Sequence, residues 1–409
     1  MRIARIELND FRAFPGPQDY TFDLGPAGSN LLLYGENGSG KSSLFRAIQE
    51  FLRLDGKRKP FKDHKNIFSD RLAGHPVTEG HITLHFTDGS AHRWPNGADR
   101  PVVATGSPVQ LQEAARRKGL LDYRALLQTN FIHRTGRVNV FDLVVKELLP
   151  EITVTQPGGR STTLGKLWEA VEKAHLPELY HYRRHLRRAA YARDAFNTAF
   201  GGIVPDLQQK TGEILSRLLA HGITVTLAFP GVGYNQTGRN FTGGQLFLDA
   251  SLNGDPIPEH QHFLNEARLS AIALSIYFAS LLVSIPAPVP GAPAFPKILV
   301  LDDVLIGLDM ANRLPVIRLL HEFFGEWQLL LFTYDRAWYE IAKQQLDGWK
   351  LYEFFTVQVG DHERPLVKED TDHLSRALDF LLTGEVKAAA MHVRTKFEEV
   401  LKAGCVRLG

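Results

Sequence analysis

The stretch Leu31-Leu32-Leu33-Tyr34-Gly35-Glu36-Asn37-Gly38-Ser39-Gly40-Lys41-Ser42-Ser43 constrains this chain more than any other. It fits G-x-x-x-x-G-K-[ST], in which glycines let successive backbone N–H groups curl inward around phosphate oxygens. Leu31 to Tyr34 predict a short buried strand, and Ser42 to Leu54 a helix whose N-terminus adds the positive end of its dipole. Gly35, Glu36, Asn37, Gly38, Ser39, Gly40, Lys41, Ser42 and Ser43 are therefore candidate nucleotide-binding residues. Lys41 would reach the β- and γ-phosphates, and the Ser42 hydroxyl would ligate Mg²⁺. The competing interpretation is a Gly/Ser-rich turn that matches by accident; a strand before it and a helix after it argue against that.

Composition narrows the class. The chain has 409 residues, 44% hydrophobic and 22% charged, which leaves room for one large domain with appendages or for two domains. A net charge of +2 predicts no overall attraction to nucleic acid. The single cysteine, Cys405, excludes an intrachain disulfide and a Cys-rich zinc framework and suits a reducing cytosol. No apolar core of signal-peptide length stands at the N-terminus, so a cytoplasmic location is expected. The most apolar stretch, Leu269 to Pro290, carries four serines and ends in prolines, and reads as a buried helix rather than a membrane span.

Along the chain, Arg2 to Leu8 reads as a strand with one wet face, followed by the turn Phe11-Arg12-Ala13-Phe14, which could bring Arg12 beside the nucleotide or simply end the strand. His81 to Phe86 and Ala91 to Trp94 flank Asp88-Gly89 as a hairpin. Val109 to Gly119 and Val138 to Leu149 read as helical. Helical periods then dominate Leu164 to Ala220, with expected breaks at Pro177, Gly201-Gly202 and Pro205. Arg183/Arg187 and Arg184/Arg188 are i,i+4 pairs of like charge, which fit a solvated surface or a phosphate backbone. Thr224 to Phe229 and Gln245 to Leu252 read as strands, with Gly231 to Gly244 as a loop between them.

A second constellation lies downstream. Lys297-Ile298-Leu299-Val300-Leu301-Asp302-Asp303 reads as a fully buried parallel strand ending in two acids, where open α/β sheets place their ligands. Asp302 would hold Mg²⁺ through its shell, and Asp303 would orient or deprotonate an attacking water. Gln328 to Thr333 is another buried strand, with Tyr334-Asp335 at its end. Just upstream of the acidic strand, Asn265 is a natural N-cap for a helix with apolar positions Leu269, Ile272, Ala273 and Ile276. A capped helix start can also receive phosphate.

Taken together, this motif order resembles the ABC-type ATPase head, in the soluble branch of SMC, RecF and OLD-type ATPases of DNA repair and phage-defence systems. Leu264-Asn265-Glu266-Ala267-Arg268 falls where that family has its Leu-Ser-Gly-Gly-Gln signature, with Asn265 in the Ser place. Asp303 stands where the family has a catalytic Glu, and Tyr334 where it has the switch His. Gly307-Leu308-Asp309 resembles the D-loop, and Gln128 is the candidate Q-loop glutamine, a metal ligand in that role. More than two hundred residues separate Lys41 from Leu264, a spacing that suits this family.

The resemblance implies an α/β P-loop NTPase fold: an ABC-type ATPase head with an antiparallel β subdomain, a short helical insertion and a C-terminal helical hairpin. The expected segments are residues 1–163 and 221–360 for the two halves of the head, 164–220 for the insertion and 361–409 for the appendage. It implies ATP and Mg²⁺ as cofactors and a second copy of the chain as partner. Asn265 and Asp309 of that copy would close on the γ-phosphate, with Asp303, Lys41 and Tyr334 as the catalytic set. DNA or an effector nuclease or toxin would be a further partner, and no membrane is expected. The rival expectation is a nucleotide-gated scaffold with little turnover. The C-terminal stretch, His373 to Leu401, reads as two amphipathic helices that either close the domain or dock a partner or second copy.

Overall fold

Alternation along the central strands explains the layering. In a computed structural model, the strands β3 (Leu31–Gly35), β16 (Ile298–Asp302) and β17 (Gln328–Thr333) are buried along their whole length. Successive side chains on a strand point to opposite faces. Accordingly Leu31, Leu33, Ile298, Val300, Leu330 and Phe332 enter one core, and Leu32, Tyr34, Leu299, Leu301, Leu329 and Leu331 enter another. The apolar runs thus feed two cores from one sheet covered on both sides. The structure describes residues 1–53, 59–69, 80–95, 102–103, 108–117, 119–123, 136–156, 159–174, 182–219, 222–235, 240–285, 295–359, 362–370 and 373–382. Beyond these it describes 386, 389–390, 393–394, 396–398 and 400–401.

The central sheet runs β19-β18-β3-β17-β16-β7, with β7 at Gly119–Asp122, β18 at Lys350–Val359 and β19 at His362–Glu369. All neighbours are parallel except β18 and β19. The carboxyl ends of β3, β7, β16 and β17 therefore share one edge. A second, antiparallel sheet has the order β2-β1-β4-β5-β6, from β1 (Ile3–Asn9), β2 (Tyr20–Asp23), β4 (His81–Phe86), β5 (Ala91–Trp94) and β6 (Val102–Val103). The buried Gln328 side chain ties the two sheets, accepting from the Ile3 N–H and donating to the Ile3 carbonyl, both at 2.7 Å. A third sheet joins β11 (Ile223–Ala228), β14 (Phe247–Leu252), β15 (Asp255–Ile257) and β8 (Val138–Asn139). The strands β9 (Thr153–Thr155) and β10 (Ser161–Thr163) pair separately, as do β12 (Gly233–Asn235) and β13 (Asn240–Thr242).

Among the described residues, the α-helices of eight residues or more are α1 (Lys41–Phe51), α2 (Pro108–Arg116), α3 (Leu164–Ala174), α4 (Tyr182–Leu218), α5 (Glu266–Ser284), α6 (Met310–Phe324), α7 (Arg336–Lys343) and α8 (His373–Leu382). Helix α5 is the one described helix long and apolar enough to cross a membrane, and 78% of its most apolar window is buried inside the protein. It is apolar all round because it packs on all sides, against the sheet and against α4.

Several expectations change. Gly201-Gly202 and Pro205 do not break α4, which runs 37 residues through them. Gly201, Gly202 and Pro205 are exposed, so the lost hydrogen bond and the ring face water, while Phe196, Phe200 and Leu207 anchor the buried side. The stretch read as a helix from Val109 to Gly119 ends at Arg116, and Gly119 opens β7, a strand missed because only Leu120 and Leu121 carry its apolar signal. Val138 and Asn139 are strand rather than helix, and the helical part that follows is a π-turn over 142–148. The glycine-rich loop after Gly231 contains the β12–β13 hairpin.

Candidate active site

The phosphate loop links β3 to α1 in the predicted order. Gly38 and Gly40 have φ of 87° and 106°, the left-handed region that glycine enters without strain. A Cβ on Gly40 would stand 3.1 Å from Pro365 Cγ and 3.4 Å from Phe14 Cζ. The turn after β1 is thus packed directly against the loop. The same turn is closed by reciprocal backbone bonds between Phe11 and Phe14, both 2.9 Å, and the Ala13 N–H donates to Ser43 Oγ at 3.4 Å.

Lys41 is 4% exposed and its Nζ donates to the carbonyls of Gly35 at 2.6 Å and Glu36 at 3.2 Å. It also lies 3.8 Å from Asp303 Oδ2 and 6.0 Å from the centre of the Tyr334 ring. Burial lowers the Lys41 pKa, and the Asp303 and Asp302 carboxylates partly offset that. Burial likewise raises Asp303, with Lys41 opposing. Each member of the pair thus loses more from desolvation than its partner returns.

Asp303 has φ of 56°. Its N–H donates to the Phe332 carbonyl at 3.0 Å, and its Oδ1 accepts from the Tyr334 N–H at 2.8 Å. A non-glycine residue held there costs on the order of 1–3 kcal/mol, and such strain clusters at working sites. Here the turn aims the carboxylate back along the strand edge at Lys41.

Asp302 is 5% exposed, and burial, followed by repulsion from Asp303, pushes its pKa up to about 6. The Ser42 hydroxyl is hydrogen-bonded to it and opposes that shift, as does Lys41. Its Oδ1 is buried without a hydrogen-bond partner among the described residues. A buried carboxylate oxygen without a donor, beside a serine hydroxyl, fits a small divalent cation that takes oxygen ligands. Ser42 and Asp302 are therefore the residues that would hold Mg²⁺.

Of the expected set, Arg12, Asn37, Ser42, Ser43, Asp302, Asp303 and Tyr334 line one cleft of about 580 Å³. The cleft is also lined by Phe45 and Ile306 and by three polar residues that motif reading missed: Arg46, Asp122 and Tyr123. Asp122 ends β7 in register with Asp302, and its Oδ2 accepts from Arg46 at 3.2 Å. The Tyr123 hydroxyl donates to Glu266 Oε1 at 3.1 Å, tying the cleft to the first residue of α5. The signal available was a short apolar pair ending in an acid. Gln128 lies outside the described residues.

Asn265 and Asp309 do not line the cleft. Both are exposed. Asn265 caps α5 as expected, its Oδ1 accepting from the Arg268 N–H at 3.1 Å. Asp309 precedes α6 with no side-chain capping bond. The loop before it is held by the buried Arg313, which donates to the Leu308 carbonyl at 2.9 Å and to Asp335 Oδ2 at 2.6 Å.

Residues 5–146 match the family model described as an AAA domain. About a third of the chain carries this AAA domain. With the phosphate loop after β3 and the paired acids after β16 on one parallel edge, the fold is a mixed α/β one that fits an AAA-type ATPase domain. No curated protein matches this sequence. Among solved structures, it is similar to an Smc head bound to the C-winged helix domain of ScpA, at 16% identity, 90% of this chain, 99% of that chain and a TM-score of 0.44. It is similar also to an Smc head with an extended coiled coil, bound to the C-terminal domain of ScpA derived from Pyrococcus furiosus, at 17%, 93%, 99% and 0.46. A third is the SMC head domain from Thermotoga maritima, at 14%, 90%, 100% and 0.40.

Proposed function

We propose that this ATPase head binds ATP with Mg²⁺ and hydrolyses it slowly, in a site that a second copy of the chain completes. The observation that carries this is the pairing of Ser42 with Asp302, whose second oxygen lacks a partner among the described residues, in one cleft with Asp303, which Lys41 approaches to 3.8 Å. The loop N–H groups and Lys41 bind the phosphates. Bound Mg²⁺ would neutralise charge on their oxygens. Asp303 orients a water at the γ-phosphorus and takes its proton as the new O–P bond forms and the bond to the β-phosphate oxygen breaks. Burial that raises the Asp303 pKa favours this proton acceptance.

Asn265 and Asp309 are exposed and do not line their own cleft, which supports a role on a neighbour's nucleotide. Closing and opening of two heads would then act on DNA or on a separate effector, in antiphage defence or DNA repair; the motif resemblance supports this finer assignment. Arg187 and Arg188 are exposed on α4 and available to a phosphate backbone. A second reading, a nucleotide-gated scaffold holding a toxin or nuclease, is favoured by Tyr334, a phenol beside Lys41 where an imidazole would serve hydrolysis.

Steady-state phosphate release tests the main reading. Turnover in the wild type that Lys41→Ala and Asp303→Asn each abolish is expected. Turnover that survives both changes would sink it.

A further inference from the structure

The turn after β1 holds two residues in the left-handed region. Asp10 and Arg12 both have φ of 49°, a conformation that a long side chain such as arginine adopts only when its surroundings impose it. Arg12 lines the cleft, and the Arg46 guanidinium there adds to burial in lowering its pKa. Asp10 does not line the cleft. It is fully buried, and a buried carboxylate persists only where charge or hydrogen-bond donors meet it.

Both kinds of partner come from one segment, residues 61–69. Lys65 Nζ stands 3.1 Å from Asp10 Oδ2, as an ion pair without hydrogen-bond alignment. Asp10 Oδ1 accepts from the Asn66 N–H at 3.3 Å and from the Ser69 hydroxyl. The same segment grips Arg12 on both sides of its backbone. The Arg12 N–H donates to the His64 carbonyl at 2.7 Å, and the Arg12 carbonyl accepts from the Asn66 side-chain amide. Between the two strained residues, the buried Phe11 ring stacks on His64 with centroids 5.6 Å apart. His64, Lys65 and Asn66 are consecutive, so the contacts to Asp10 and the clasp on Arg12 move as one piece. One residue farther on, the Ala13 N–H bond to Ser43 Oγ ties the turn to α1.

We infer that Asp10 is a positioning residue for the nucleotide. Through residues 64–69 it fixes the backbone of Arg12, so that the guanidinium meets a phosphate oxygen of ATP. A flexible cationic side chain binds an anion more tightly when its own backbone is ordered beforehand. Arg46 makes that ordering matter, because like charge repels Arg12 from the cleft until an anion neutralises both. The inference rests on the ATP-binding reading above and adds to it a residue that touches no part of the ligand.

A double-substitution cycle in the binding of a fluorescent ATP analogue with Mg²⁺ tests it. Asp10→Ala removes both acceptors and is expected to weaken binding about tenfold while Arg12 is present. In an Arg12→Ala background the same change should cost less than about twofold, the limit for independent sites. Asp10→Asn keeps Oδ1 and suits the left-handed φ, so its affinity should lie within about threefold of wild type. Asn66→Ala cuts the clasp alone and should weaken binding about threefold, again only with Arg12 in place. Its half-buried side chain makes it the cycle to read if Asp10→Ala does not fold. Equal losses with and without Arg12 would show a purely structural role and overturn the inference. Wild-type affinity in both Asp10→Ala and Asn66→Ala overturns it too. The cycle reads binding and not turnover, so a protein that binds ATP without hydrolysing it contradicts the hydrolytic reading and leaves this one standing.

Discussion

Asp303→Asn separates chemistry from binding at this site. The substitution keeps an oxygen where Oδ1 accepts the Tyr334 N–H, so the strained turn after β16 retains its fastening and the fold is unaffected. What it removes is a negative charge 3.8 Å from the Lys41 ammonium. If that ammonium contacts the γ-phosphate, the lost carboxylate lies roughly 7 Å from it. At an effective dielectric of about 20, the repulsion removed is approximately 2 kcal/mol, so ATP should bind up to about thirtyfold more tightly. Loss of a positioned proton acceptor should slow turnover by about 10²–10⁴-fold. Fluorescent-nucleotide titration reads the first quantity and single-turnover phosphate release the second. Turnover within about threefold of wild type, or ATP binding that weakens, would refute the assignment of Asp303 as the acceptor.

Three further outcomes follow from the same geometry. Burial pushes the Asp302 pKa up to about 6 from the ordinary 3.8, so the stability it contributes is full below the unfolded pKa and lost as pH rises through about 6; on the order of 2–3 kcal/mol is an upper bound. Thermal melts without Mg²⁺ should show this decline between about pH 4 and 6, Asp302→Asn should flatten it, and a wild type and variant with parallel profiles would contradict it. Gly40→Ala puts a Cβ at a φ of 106° and 3.1 Å from Pro365; it should cost about 1–3 kcal/mol in denaturant unfolding and abolish nucleotide binding, and unchanged binding would count against the packed loop. Tyr123→Phe deletes the bond to Glu266; ATP affinity should hold while turnover falls, and equal loss of both would assign Tyr123 to binding instead.

Much of the fold was legible because its signals are local. The phosphate loop, the acid-ended strand and the Asn265 cap are each set by a few consecutive residues, and the structure brings the first two to one strand edge. Long-range features were not legible. Gly119–Asp122 is too short for its apolar content to announce a buried strand, and it becomes one only because β16 offers an unpaired parallel edge. Asp122, Arg46 and Tyr123 join the site through that pairing and not through any motif. Helix α4 passes through Pro205 because tertiary packing of its buried face outweighs a local propensity penalty on the wet one. Tyr334 was legible from the motif order at the end of β17, and its ring centre lies 6.0 Å from Lys41 Nζ.

The central claim is that each nucleotide site is shared between two chains, and co-expression of two inactive variants tests it most directly. Lys41→Ala lacks a working phosphate loop, whereas Asn265→Arg lacks a working helix start for its neighbour. A mixed dimer contains one site in which the intact loop of one chain faces the intact Asn265 of the other. Random pairing in a two-fold assembly therefore predicts recovery of about one quarter of wild-type turnover. A mixture no more active than its two components would show that each site lies within a single chain.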